Sequence, residues 1–359
     1  MKIKLTEEEI KKLKENRGVR PHRVKFQLTN ACNARCKHCN LYLIKPDVLS
    51  KEVVLKTLAD LSELGGKDVD FTGGEPTTHP NFVEFIKTAT DYGLNVKANT
   101  NGFLLIEKLA EGMIKAGLKE LAISIDSHSA EEHDKRRCLP GGWQKAIDGI
   151  NFIDKYRKKY KTNTKVILYS ILSNKSYNHA PEIIDLKKIA NFDEINFIPI
   201  KDIENKEDFL SKEQIEDYYQ NIKPILVEKY NEYKFTGIFR TIDDPFGVIA
   251  SKTEDKSTSA KYTEEIYKNL PCYITNFYAY IISDGSVVQC CVAPHHLRPE
   301  FIMGNINQQS FKEIWNSDRY NQLRQTLLKP NFEICKCCSG HHTAFNLDVH
   351  QQIKEYEKG

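Results

Sequence analysis

Apolar residues recur along this chain in two alternating rhythms. Short runs near 24–29, 68–72, 94–98, 120–125, 165–171 and 194–199 read as strands. Between them, stretches near 50–65, 80–92, 104–116, 143–160 and 180–190 repeat apolar residues at helical spacing. Phe82, Phe85, Ile86 and Ala89 line one such face; Leu105, Leu109 and Ile114 line another. Strand and helix thus alternate through six units, the pattern of an α/β parallel sheet with crossover helices. Eight units would close a barrel; six predict an open, partial (β/α)6 barrel with ligands at the C-terminal ends of its strands.

Outside that core, a short helix is expected over 6–17, with Thr6 and Glu9 in a capping-box pattern and Gly18 as its stop. A longer helix is expected near 211–232, N-capped by Ser211. The polar run Ser251–Ser259 reads as a surface loop, a candidate lid. The expected division is a prefix over 1–20, the partial barrel over 21–200, a helical and loop bridge over 201–268, and a small C-terminal unit over 269–359.

Chemistry enters just after the first strand. Cys32, Cys36 and Cys39 are spaced C-x3-C-x2-C. Four thiolates would close a zinc site or fully ligate an iron–sulfur cluster, whereas three leave a metal position open. A zinc loop that borrows a fourth ligand is the plainer alternative. The second strand runs directly into Gly73-Gly74-Glu75-Pro76. Together the two signatures resemble the radical S-adenosylmethionine (radical SAM) superfamily. The resemblance implies a [4Fe–4S] cluster on the three cysteines, with SAM chelating its fourth iron. It implies that Gly73 and Gly74 let the backbone approach the SAM amino group, that Glu75 accepts from that ammonium, and that the His38 ring lies near the adenine.

Two further strand ends fit the same frame. Asn99-Thr100-Asn101-Gly102 reads equally well as a tight turn or as a ligand-facing corner at Asn101. Ser124 and Asp126 alternate with Ile123 and Ile125, so both polar groups share one side; by resemblance that side meets the SAM ribose and the substrate. Asp134–Cys138 resembles the D-x-x-R-G loop of SPASM-type relatives, which assigns Arg137 to the SAM carboxylate, a bidentate task suited to a guanidinium. Cys138 stands where those relatives carry glycine. Its plainer reading is a small buried hydrophobe.

A second cysteine set lies near the C-terminus. An Asp284-Gly285 hairpin turn would bring Cys272 and Cys290 together. Beyond it come a Gly304-Asn305-Ile306 run, a helix from Ser310 with Phe311, Ile314, Trp315 and Leu323 on its core face, and Cys335-x2-Cys338. This order resembles the SPASM/Twitch extension of radical SAM enzymes. No cysteine follows Cys338, so the resemblance implies the four-cysteine form with one auxiliary [4Fe–4S] cluster on Cys272, Cys290, Cys335 and Cys338. Cys291 and Cys337 are rival ligands, and a zinc ribbon is the plainer alternative. His295, His296, His341 and His342 read as solvated loop residues.

Composition narrows the rest. The chain has 359 residues, 40% hydrophobic and 28% charged, with a net charge of +3 and no dense basic block. That describes a globular protein and gives no indication of nucleic acid. No long apolar run or signal peptide is visible, and ten cysteines without an export signal suggest metal ligation in the cytoplasm. The family resemblance implies cleavage of SAM to a 5′-deoxyadenosyl radical, supplied with electrons by a reductant such as flavodoxin or ferredoxin. A closed auxiliary cluster suits oxidation of a substrate radical; a thiol donor, Cys138 or Cys291, would suit epimerisation. The short prefix, with no room for a leader-binding domain, tilts the expected substrate from a peptide towards a small polar metabolite such as a sugar or aminocyclitol.

Overall fold

The computed structural model describes residues 3–200, 206–236, 240–246, 270–290, 299–330, 332, 335, 338 and 340–358. Six strands follow the six expected runs: β1 (Arg23–Gln27), β2 (Asp68–Thr72), β3 (Asn95–Thr100), β4 (Glu120–Ser124), β5 (Lys165–Leu172) and β6 (Glu194–Pro199). They lie in chain order and pair in parallel throughout. Helices α1 (Glu7–Lys14), α2 (Lys51–Glu63), α3 (Phe82–Asp91), α4 (Glu107–Lys115), α5 (Ala130–Arg137) and α6 (Gly142–Lys159) precede or connect them.

Helix α5 was not legible as one, because Ala-Glu-Glu-His-Asp-Lys-Arg-Arg has no apolar period. It forms on local electrostatics. The Ser129 side chain caps Glu132 N–H, the first turn carries Glu131 and Glu132, and the last carries Lys135, Arg136 and Arg137, matching charge to the helix dipole. The expected loop at Asp134–Cys138 is therefore corrected to the end of a helix. Cys138 caps it at φ 46°, ψ 48°, a left-handed conformation that glycine adopts without strain and other residues do not. The 211–232 helix is also interrupted, by a π-turn at Tyr218–Ile222. Pro224 follows at once; it cannot donate to the preceding turn, so the backbone widens ahead of it.

The C-terminal hairpin extends this same sheet. Strand β7 (Tyr278–Ile281) pairs in parallel with β1, Arg23 facing Tyr278 and Phe26 facing Ile281. Strands β8 (Ser286–Val288) and β9 (Ile302–Asn305) add antiparallel beyond it, so the order is β6-β5-β4-β3-β2-β1-β7-β8-β9. The Asp284-Gly285 turn forms as expected, with Gly285 at φ 87°. The single helix expected from Ser310 is corrected to two, Phe311–Trp315 and Asp318–Thr326, because the Ser317 side chain caps a new start. Phe311, Ile314, Trp315 and Leu323 are buried, and Trp315 Nε1 donates to Val19 O at 2.8 Å, tying the prefix to this region. The 251–259 run, Cys291, Cys337, His295 and His296 lie outside the described residues, as do the side chains of His341 and His342. Among the described residues no helix is long and apolar enough to cross a membrane.

The two faces of the barrel sheet differ sharply. Val24, Phe26, Val69, Phe71, Leu121 and Leu168 join the helices in one apolar core. On the opposite face, register sets Lys25 beside Asp70, Asp70 beside Lys97, Lys97 beside Glu120 and Glu120 beside Lys165. Lys25–Asp70 (3.7 Å), Lys97–Glu120 (3.0 Å) and Lys165–Glu194 are ion pairs. Signs thus alternate across six strands. Parallel sheets are ordinarily apolar on both faces; this inner face is instead held by a row of paired charges. Asp70 also accepts from Asn99 Nδ2 at 3.1 Å. Asp70→Asn, which leaves Lys25 without its carboxylate in a half-buried row, is expected to cost about 1–3 kcal/mol by denaturant unfolding. Lys87→Ala, at the exposed pair with Asp91, is expected to cost under about 1 kcal/mol in the same assay.

Candidate cofactor site

The loop carrying Cys32, Cys36 and Cys39 is gripped by backbone from two directions. On the β2 side, Gly74 N–H donates to Thr29 O at 2.8 Å and Glu75 N–H to Ala31 O at 2.9 Å. A Cβ on Gly73 would stand 2.3 Å from Thr29 O, and one on Gly74 2.2 Å from Ala31 O. Close approach of the cysteine loop's own backbone thus demands glycine at both positions. From the other side, Arg35 N–H donates to Arg137 O (3.0 Å) and Lys37 N–H to Arg136 O (3.2 Å). Those carbonyls end α5 and have no partner within the helix. The three cysteines share a small apolar cluster with Ala34, Phe103 and Leu139. Burial raises the Cys32 thiol's pKa and pushes that of Cys36 up to about 12.

Glu75 is the latch behind this loop. Fully buried, it accepts from Thr77 N–H, Thr77 Oγ1 and Thr100 Oγ1 on one oxygen and from Asn101 N–H on the other. Burial raises its pKa against the pull of those bonds. Its oxygens tie β2 to β3. Asn101 is both a turn and a strut. Its Oδ1 accepts from Phe103 N–H at 2.9 Å, and its Nδ2 donates to Asn33 Oδ1 at 2.7 Å, back in the cysteine loop.

A buried ionic pair closes the far wall. Arg137 Nη2 lies 2.8 Å from Asp126 Oδ2, and Asp126 Oδ1 accepts from Ile171 N–H on β5. Burial opposes charge on Asp126, but Arg137, His38 and His133 hold its pKa below the ordinary carboxylate range. Burial lowers the pKa of His38. Ser124 is half-buried at the end of β4. His133, missed from sequence, is wholly buried and takes Asp126 N–H on Nδ1 at 3.2 Å; a histidine one residue before the Asp134 motif was the signal. The Nε of Arg137 and Nδ2 of Asn33 are buried without hydrogen-bond partners. Cys138 is exposed and donates to Lys135 O, which corrects its reading as a buried hydrophobe.

The second set gathers beside the hairpin. Cys272 packs with Cys338 and Leu270, while Cys272, Cys290 and Cys335 pack against one apolar cluster containing Phe301 and Phe345. Asn346, also missed from sequence and fully buried on the terminal helix Gly340–Lys358, donates to Cys272 Sγ at 3.7 Å and accepts from Tyr273 N–H. Burial, reinforced by Cys338 and Cys335, raises the Cys272 thiol's pKa. Among the described residues no three His, Cys, Asp or Glu converge as on a single ion.

Comparison with known proteins agrees with this geometry. Residues 26–186 match the radical SAM superfamily model, and 272–339 match SPASM, an iron–sulfur cluster-binding domain. The AdoMet-dependent heme synthase of Methanosarcina barkeri (strain Fusaro / DSM 804) is 26% identical over 332 residues, 89% of this chain and 90% of that protein. The Fe-coproporphyrin III synthase of the same strain is 24% identical over 333 residues, 88% of this chain and 80% of that one. In fold, Streptococcus suis SuiB bound to S-adenosylmethionine superposes with a TM-score of 0.66 at 13% identity, over 92% of this chain and 75% of that one. The anSMEcpe structure with bound AdoMet gives 0.65 at 19%, over 94% and 96%. Fold and cysteine loop together define an iron–sulfur enzyme built on a partial α/β barrel. Residues 26–186 are a radical SAM domain, and residues 272–339 are a SPASM-type iron–sulfur domain C-terminal to it. The chain's cofactors are SAM and [4Fe–4S] clusters. The residues fit them: one loop offers three thiols, and unpartnered buried donors on Asn33 and Arg137 stand in the same region.

Replacing Cys32, Cys36 and Cys39 together by alanine is expected to abolish reductive SAM cleavage and to leave about four irons per chain, read by iron assay and deoxyadenosine release. A separate expectation concerns pH. Burial, helped by Arg137 and Arg136 and opposed by Asp126 and Asp134, lowers the His133 pKa to about 4, against about 6.5 in an unfolded chain. The unfolded state binds the proton first, so this contribution to stability is complete above about pH 6.5 and is lost as pH falls towards 4. Denaturation across that window should cost wild type on the order of 3 kcal/mol more than His133→Asn, whose amide oxygen can still accept Asp126 N–H.

Proposed function

We propose that this enzyme oxidises a small polar substrate held over the strand ends, with the C-terminal cysteine set as its electron sink. When bound, SAM and the first cluster supply a hydrogen-abstracting 5′-deoxyadenosyl radical, given an electron from a flavodoxin- or ferredoxin-type donor, and an auxiliary cluster supplies an electron acceptor. Cys32, Cys36 and Cys39 would hold the first cluster, and Cys272, Cys290, Cys335 and Cys338 the second. Arg137 would turn its free Nε edge to the SAM carboxylate, His38 would flank the adenine, and Asn101, Ser124 and Asp126 would line the ribose side. Gly73 and Gly74 hold the cysteine loop in register and would let backbone meet the SAM amino group, and Glu75, which locks β2 to β3, would accept from it.

The observation that carries oxidation is the parallel pairing of β7 with β1. Cys272 precedes β7 and Cys290 follows the returning β8, so both flank the N-terminal end of β1, whereas the triplet follows its C-terminal end. Five strand residues separate the two ends by about 17 Å. An electron crosses such a gap through packed side chains; a hydrogen atom is not handed across it. Exposed Cys138, bonded back to its own helix, offers weak support for the epimerase alternative, and Cys291 lies outside the described residues.

The inner face supports a polar, uncharged substrate. Beyond the paired ladder it presents Gln27, Asn99, Ser124, Tyr169 and Asn196, groups that would hydrogen-bond the hydroxyls or amines of a sugar or aminocyclitol. A second reading is favoured by the two long-range relatives named for heme and Fe-coproporphyrin III synthesis: the substrate would then be a tetrapyrrole. Turnover of a panel of aminocyclitols, sugars, tetrapyrroles and peptides, read by product mass, decides between them. With its true substrate, wild type should release product two mass units lighter with no solvent deuterium at the reacting carbon. Cys335→Ala with Cys338→Ala should still cleave SAM but form no such product. A product of unchanged mass carrying one solvent deuterium would sink the oxidation reading.

A further inference from the structure

Arg324 is a buried cation with no carboxylate partner among the described residues. Its side chain lies on the helix Asp318–Thr326 and is 1% exposed. The guanidinium carbon stands 4.6 Å from the Trp315 ring centroid and 4.1 Å from that of Tyr320. Nε donates to Thr275 O at 3.2 Å and Nη1 to Asn321 Oδ1 at 2.6 Å, while Nη2 has no hydrogen-bond partner. Gly18 closes over the group so tightly that a Cβ there would fall 2.7 Å from Nη2. Among the described residues no carboxylate pairs with it. Burial lowers its pKa to about 10, so it stays charged at neutral pH. Two aromatic faces and neutral acceptors soften such a burial, yet buried charges are ordinarily matched by an opposite one.

The neighbourhood indicates where that charge resides. Thr275 follows Cys272 by three residues, which span at most about 11 Å. Cys272 N–H donates to Leu327 O at 2.8 Å, one turn beyond Arg324. Burial raises the pKa of Tyr320, Arg324 lowers it and Cys290 raises it, so Tyr320 lies near both the cation and one of the four cysteines. Four thiolates around an iron–sulfur core are anionic, and nearby charge sets the potential of such a group.

We propose that Arg324 is a positioning charge for the C-terminal site, offsetting the negative charge of the bound group and raising its reduction potential so that it takes up the electron lost by the substrate. This rests on the assignment of Cys272, Cys290, Cys335 and Cys338 to one [4Fe–4S] cluster. Over about 10 Å at an interior dielectric, one charge changes a one-electron equilibrium about tenfold, equivalent to about 59 mV.

The test uses the full chain with Cys32, Cys36 and Cys39 replaced by alanine, so that one cluster is read alone by potentiometric titration and electron paramagnetic resonance. Asn321→Asp is isosteric and sets a carboxylate on Nη1, cancelling the cation without removing it. It should move the midpoint to more negative potential, lowering the reduced-to-oxidised ratio about tenfold at fixed poise. Arg324→Gln should move it equally, and Arg324→Lys should restore most of the wild-type value. An unmoved midpoint in Asn321→Asp protein holding about four irons overturns the proposal, as does a shift in Arg324→Lys as large as in Arg324→Gln, which would mark a packing role. Failure of the triple-alanine protein to bind iron at all would instead overturn the cluster assignment itself.

Discussion

The two-sided backbone grip on the cysteine loop is the constraint on which the rest of the site depends. A loop of this kind has no regular ladder of its own, so its N–H and C=O groups must find partners elsewhere. They find them on structure that is already rigid. The Gly73-Gly74 turn accepts nothing bulkier than hydrogen because Thr29 and Ala31 carbonyls press into it. The last carbonyls of α5 take Arg35 and Lys37 N–H, converting an unsatisfied helix end into a clamp. Both grips are held by further locks: Glu75 fixes the turn to β3, and the Asp126–Arg137 pair fixes α5 to β4 and β5. Cys138 in a left-handed cap, costing roughly 1 kcal/mol or more against glycine, shows that the α5 terminus is over-determined by this geometry.

The inner face of the sheet is polar and held by paired charges. Six strands filled with Val and Ile on both sides would collapse into a packed core. The alternating row from Lys25 to Glu194 satisfies its charges internally and fills the lower sheet without making it apolar. The hairpin β7–β8 then uses the free edge of β1. An exposed edge strand is a liability; here it becomes the joint that fixes the second cysteine set to the first.

Helical and strand periodicity made most of the barrel legible, because each element buries one apolar face against the same core. Elements departed from the period where local rules outweighed it: at Pro224 with its π-turn, at Ser317, whose side chain caps a second helix (Asp318–Thr326) after Phe311–Trp315, and at α5, which starts on capping and dipole charge. The cysteine triplet and the glycine turn were equally plain, since their chemistry depends on spacing along the chain.

By itself, then, the sequence determined the six-unit order, the thiols available at each site and the turn that separates β7 from β8, all matters of neighbours within a few residues. Only the tertiary structure decided what those residues face. It made Glu75 a buried latch between β2 and β3 and exposed Cys138. It brought His133 beneath Asp126, set Asn346 on Cys272 from 74 residues away, and sealed Arg324 under Gly18. These contacts join strand ends and helix ends that are distant in the chain, and burial and electrostatics act through space, where one-dimensional spacing carries no signal.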